Sequence, residues 1–85
     1  MISFIIPAFN VDKYILRTLE SVLNQQVQDF EIIVVDDGST DNTYEVVHKL
    51  IMEGNVNKIK LIRQENAGVC SARNRGLAVA SGEYV

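Results

Sequence analysis

The sequence predicts an α/β fold with a doubly wound parallel sheet, and three observations predict it. Segments of strand character alternate with segments of helical period in the order strand, helix, strand, helix, strand, helix, strand. The run Ile32-Ile33-Val34-Val35 is β-branched and apolar without alternation. Such a strand is covered on both faces, as in parallel sheets flanked by helices. Finally, the segments that follow the first three strands fall on one sheet edge, beyond the carboxyl ends where open α/β sheets bind their ligands.

In chain order, Ser3 to Ile6 reads as a short buried strand. Pro7, which lacks a backbone donor, ends it, and Ala8-Phe9-Asn10 forms a loop. Asp12 is placed to cap a helix whose apolar face is Ile15, Leu19, Val22 and Leu23, fading at Gln25-Gln26. Glu31 to Val35 is the central strand, and Asp36-Asp37-Gly38-Ser39 is the loop at its end. Asn42 and Glu45 have capping-box spacing ahead of the stripe Val46, Val47, Leu50 and Ile51, and Gly54-Asn55 ends that second helix. Lys58 to Arg63 alternates charge with aliphatic, as an edge strand does, and Gln64 to Gly68 is its loop. The third helix, about Val69 to Ala80, carries Ala72, Gly76 and Ala80 on one face, so its backbone can lie close to a neighbour. Ser81-Gly82 closes it, and Glu83-Tyr84-Val85 begins a fourth strand.

With 85 residues, 47% of them hydrophobic, the chain is one small domain or part of one. Eight basic residues against eleven acidic give a net charge of −3, and no basic stripe suits nucleic acid. The single cysteine, Cys70, has no partner for an internal disulfide and no Cys or His at metal-ligand spacing, so a reduced, cytoplasmic setting is expected. Cys70 reads as a small packed hydrophobe and His48 as a surface residue of the second helix. The apolar opening Met1 to Pro7 is too short for a signal-peptide core or a membrane span.

Neither G-x-G-x-x-G after the first strand nor G-x-x-x-x-G-K-[ST] anywhere is present, so a phosphate cradle is not the main contact. A carboxylate at a strand end can instead accept from the imide N–H of uracil or thymine, or from ribose hydroxyls, in charge-assisted bonds. Phe9 on the neighbouring loop can stack on a base. Taken alone, Phe9 suits a core, Asp36, Asp37, Asn66 and Gly68 suit turns, and Arg73 and Arg75 suit a solvated helix face. For Arg75 that reading is kept.

Four stretches resemble, in order and spacing, the amino-terminal half of family 2 glycosyltransferases. They are Phe4-Ile5-Ile6-Pro7-Ala8-Phe9-Asn10, Ser21-Val22-Leu23-Asn24-Gln25-Gln26, Phe30 through Asp41, and Asn66-Ala67-Gly68-Val69 running on to Ala72-Arg73-Asn74-Arg75-Gly76. The resemblance implies a Rossmann-like three-layer α/β/α parallel sheet, the nucleotide-sugar-binding part of a GT-A fold. It implies an inverting transferase that takes a nucleotide sugar, usually a UDP-sugar, and passes the sugar to a glycan or lipid acceptor, as in polysaccharide or cell-envelope biogenesis. By the same resemblance Pro7, Ala8 and Phe9 form the loop against the base, and Asp37 reads the base imide. Asp36 and Gly38 stand beside Asp37 in the nucleotide loop, while Asn66, Gly68, Ala72 and Arg73 line the ribose and diphosphate side.

In that family the Gly-Glu-Tyr-Val segment leads into the acids that hold a divalent metal, Mn or Mg, and the general base follows later. The expectation is therefore an amino-terminal piece, residues 1–85, of a longer enzyme located in the cytoplasm or at the inner face of the membrane. By itself it would hold no metal and transfer no sugar, and it would self-associate through an exposed sheet edge. The alternative is a stand-alone nucleotide-binding or regulatory module without catalysis.

Overall fold

The computed structural model describes residues 1–24, 29–54 and 58–84. Its elements are β1 (Ile2–Ala8), α1 (Ile15–Leu23), β2 (Phe30–Asp37), α2 (Thr43–Glu53), β3 (Ile59–Gln64), α3 (Val69–Val79) and β4 (Glu83–Tyr84). All strand pairings are parallel, in the order β3-β2-β1-β4. The chain steps outward from β1 to β2 to β3 and then returns to the far side of β1. Because parallel crossovers are right-handed, the first two steps put α1 and α2 on one face and the reversed step puts α3 on the other. Three layers result, as expected.

Packing follows from side-chain alternation along β2. Phe30, Ile32 and Val34 join Ile15, Leu19 and Val47 in one core, while Ile33 and Val35 join Ala72 in the other. Every residue of β2 is buried, which explains a run with no polar alternation. Each fully buried aliphatic side chain there contributes on the order of 1.5–3 kcal/mol. The small-residue face of α3 allows a close approach: a β carbon on Gly76 would lie 2.5 Å from Ile5 Cγ2. Among the described residues no helix is long and apolar enough to cross a membrane.

Several expectations are corrected. Pro7 lies inside β1, opposite Val35, and does not end the strand. The Ile2 N–H donates toward β2, to Asp29 O. Alternation therefore turns the Pro7 nitrogen to the β4 side, where pairing reaches only Ile2 and Ser3 among the described residues, so no ladder bond is lost. Asp12 does not cap α1, which begins at Ile15 after a turn in which Tyr14 N–H and Ile15 N–H donate to Val11 O. Asn42 makes no side-chain cap and the capping box does not form. Instead Asp41 Oδ1 accepts from the Thr43 N–H at 2.9 Å. β3 begins and ends one residue later than expected, so Gln64 belongs to the strand and not to its loop. Cys70 is exposed, not packed, whereas His48 is exposed as expected and stacks on Tyr44. Gln25, Gln26, Asn55 and Val85 lie outside the described residues.

Candidate functional site

A cleft of about 250 Å³ opens at the carboxyl edge of the sheet, lined by Pro7, Ala8, Phe9, Asp37, Asn66, Gly68 and Val69. The strand register builds it. Ala8 pairs with Asp36, which sets Phe9 level with Asp37, and Asp37 pairs with Gln64 on the next strand. Phe9 is 47% exposed and lines the cleft instead of entering the core.

The two adjacent acids separate by strand alternation. Asp37 is turned to the α3 side, where Oδ1 accepts from Gln64 Nε2 at 2.8 Å and from the Ala67 N–H at 2.9 Å. Its Oδ2 accepts from the Gly68 N–H at 3.0 Å. The Gln64 amide first, then the Ala67 and Gly68 N–H groups, hold the Asp37 carboxyl below the ordinary carboxylate range against the opposing effect of burial. Gly68 has φ 98° and ψ 163°, a conformation nearly restricted to glycine, as it donates to Asp37. Asn66 Nδ2 donates to the Asp37 carbonyl at 3.1 Å, fastening the third loop to the second.

Asp36 points to the opposite, α1–α2 side and is fully buried. Its Oδ1 accepts from the Ser39 N–H at 3.1 Å, which shapes the turn after β2. Its Oδ2 has no hydrogen-bond partner, and Arg63 Nε at 3.6 Å supplies charge compensation without a bond. Since Asp36 and Asp37 face opposite ways, the pair cannot chelate one cation. No group of three or more His, Cys, Asp or Glu among the described residues is placed to hold a metal.

Of the residues named from the sequence, Pro7, Ala8, Phe9, Asp37, Asn66 and Gly68 converge on the cleft. Gly38 lies in a separate depression with Arg63, Gln64, Glu65 and Asn66, the last of which also lines the cleft. Ala72 is fully buried with Ile33 and Val35, where the small face of α3 packs on the sheet, and is not among the residues lining the cleft. Arg73 is exposed on α3, outside the cleft lining.

Residues that sequence reasoning passed over organise the site. Asn10, with φ 52°, uses Oδ1 to accept from the Thr40 N–H at 2.8 Å and the Asp41 N–H at 3.3 Å. Ser39 Oγ accepts from the Asn10 N–H, and Thr43 Oγ1 from the Val11 N–H. Asp12 Oδ2 accepts from the Asn42 N–H, while Asp41 Oδ2 accepts from the Asp12 N–H. Burial raises the Asp41 pKa, and bonds from Thr43 and Asp12 outweigh it, leaving the group below its usual value. The first two strand-end loops are thus knitted together. Asparagine tolerates the left-handed region better than most residues, which was the available signal for Asn10.

Comparison with known proteins agrees with this architecture. The chain is 42% identical to the glycosyltransferase GlyG of Streptococcus pneumoniae serotype 4 over 86 residues, covering all of this chain and 28% of that protein. It is also 42% identical to the chondroitin synthase of Pasteurella multocida over 85 residues, covering 9% of that protein. The fold superposes on Staphylococcus aureus TarS 1-349 in complex with UDP with a TM-score of 0.84 and 35% identity, covering 99% of this chain and 26% of that one. It superposes on the Pyrobaculum calidifontis mannosyltransferase PcManGT, in complex with GDP-Man and Mn²⁺, with a TM-score of 0.89 and 27% identity, covering 95% and 24%. The chain thus spans less than a third of each of these proteins, and its α/β fold is one shared with GT-A glycosyltransferases. Residues 3–85 match the family described as Glycosyl transferase family 2, and the chain belongs to that family.

Proposed function

We propose that this chain is the donor-binding part of an inverting glycosyltransferase that uses a UDP-sugar and delivers the sugar to a glycan or lipid acceptor. One observation carries the donor assignment: Phe9, the first residue after β1, and Asp37, the last residue of β2, border the same cleft together with Asn66 and Gly68. An aromatic face and a carboxylate acceptor are what a uracil ring and its imide N–H require. The complexes of TarS with UDP and of PcManGT with GDP-Man support a nucleotide-sugar donor for the present chain. Asp37 is engaged in ordering its own loop, so its role is to bind and orient, not to exchange protons. A divalent metal, as in the PcManGT complex, suits the diphosphate of such a donor. Asp36 and Asp37 do not fit that metal, because one is buried under Arg63 and the other is turned to the opposite face.

Calorimetric titration with UDP and with N3-methyl-UDP tests the base-reading role, since the methyl group removes the imide donor and leaves the protein untouched. UDP is expected to bind about tenfold or more tightly than its methylated analogue, and the Asp37→Ala variant is expected to lose that difference. Equal affinity of the unaltered chain for the two ligands would overturn the assignment.

A further inference from the structure

Asp37 is a carboxylate with few acceptor positions left, and Gln64 is the one side chain that occupies any of them among the described residues. An ionised carboxylate offers about four lone-pair positions, two on each oxygen. On Oδ1 both are used, one by Gln64 Nε2 at 2.8 Å and one by the Ala67 N–H at 2.9 Å. On Oδ2 one is used by the Gly68 N–H at 3.0 Å. Among the donors of the described residues, one position on Oδ2 is not taken, and Asp37 borders the cleft. Two of the three donors are backbone groups common to any sequence with this loop. The third is a side chain, placed opposite Asp37 by strand register.

We infer, resting on the base-reading role proposed for Asp37, that Gln64 is a specificity-determining residue which leaves Asp37 a single free acceptor and so favours a uracil nucleotide over a guanine nucleotide. The base edges differ in the number of donors they present. Uracil offers one imide N–H between two carbonyls, and one free lone pair satisfies it. Guanine offers N1–H and N2–H₂ side by side, which a carboxylate satisfies only by accepting on both oxygens. With Oδ1 occupied, one guanine donor would be buried against a saturated acceptor, the arrangement that costs most in recognition. Gln64 touches Asp37 in the structure and acts through it, so it is a positioning residue for the base.

Gln64→Leu keeps the side chain's bulk and removes the donor. Dissociation constants of UDP and GDP for the full chain, with and without this substitution, provide the test. The unaltered chain is expected to prefer UDP by about tenfold or more, and Gln64→Leu is expected to narrow the preference to about threefold or less by freeing Oδ1. A thermal melt establishes that the variant is folded. Should it not fold, Gln64→Asn, which draws the amide back from Asp37 by one methylene, is expected to narrow the same ratio. Parallel weakening of both nucleotides, with the ratio unchanged, is what a merely structural role gives and would overturn the inference. The same holds if the unaltered chain does not discriminate. If instead UDP and N3-methyl-UDP bind equally well, it is the base-reading role of Asp37 that has failed, and the inference falls with it.

Discussion

Gly38 lies so close to Asn66 that a β carbon added to it would come within 2.6 Å of the Asn66 backbone nitrogen. This contact joins the loop after β2 to the loop after β3, where Asn66 also donates to the Asp37 carbonyl. Gly38 also has φ 72°, a region where side chains are strained. Both features constrain the residue, and substitution separates them.

Gly38→Ala and Gly38→Asn are expected to destabilise the fold by similar amounts, about 2 kcal/mol or more, and to weaken UDP binding because Asn66 must move off the Asp37 carbonyl. Asparagine tolerates positive φ, so a purely conformational cost would make Asn much milder than Ala. Denaturant melts of the two variants decide between contact and conformation. An Asn variant as stable as the unaltered chain would show that the contact is relieved at no cost.

At the opposite, amino edge of the sheet, Glu31 joins three elements. Its Oε2 accepts from Ser3 Oγ at 2.6 Å and from the Ser81 N–H at 2.7 Å, and Lys60 Nζ lies 3.0 Å from Oε1. The Ser3 hydroxyl and then the Ser81 N–H, with Lys60 assisting, lower its pKa from 4.5 to about 2 although burial opposes them. A carboxyl whose folded pKa is depressed stabilises the fold above its unfolded value and loses that contribution as the pH falls through the folded one. The contribution of Glu31, on the order of 2–3 kcal/mol, is therefore complete above pH 4.5 and is lost between pH 4.5 and 2. Glu31→Gln is expected to lower stability at pH 7 and to reduce the acid dependence across that window. Urea midpoints measured from pH 7 to 2 check it, and identical slopes for both proteins would refute it.

The alternation of elements, the buried run Ile32 to Val35, the close-packed face of α3 and the convergence of three loops were legible because each is a local pattern set by period and residue type. Asp37 and Phe9 were legible only as neighbours on one sheet edge. What escaped was everything decided by strand register. That Gln64 stands opposite Asp37, and Arg63 opposite Asp36, depends on how β3 slides along β2, and no single segment encodes that offset. The caps misread for a similar reason. Asp12 and Asn42 have the right side chains at the right spacing, but the other loop competes for them: Asp12 is drawn to the Asn42 N–H, and Asp41 takes over at Thr43. Ala72 carries two readings from the sequence, and the structure shows the one set by residue size, a close contact between α3 and the sheet.

The pairing of Asp36 with Arg63 yields a double-mutant test. Asp36 is fully buried, and its Oδ2 lacks a hydrogen bond, so its charge depends on Arg63 Nε at 3.6 Å, a distance too long for a bond yet short enough for attraction. The Arg63 side chain is 52% exposed, so water screens the pair and the coupling falls short of the 3–5 kcal/mol typical of breaking a wholly buried ion pair. Arg63 also donates to the Ser39 carbonyl at 3.4 Å and lies over the Tyr44 ring at 5.1 Å, and its removal forfeits those contacts whatever the state of Asp36. Arg63→Leu is therefore expected to cost about 1–2 kcal/mol. Asp36→Asn retains an oxygen for the Ser39 N–H and removes the charge, so in the Arg63→Leu background it should be milder than in the unaltered chain. The cycle is expected to give a coupling of about 0.5–1.5 kcal/mol. A coupling of zero in denaturant melts would mean that solvent, not Arg63, compensates the buried carboxylate.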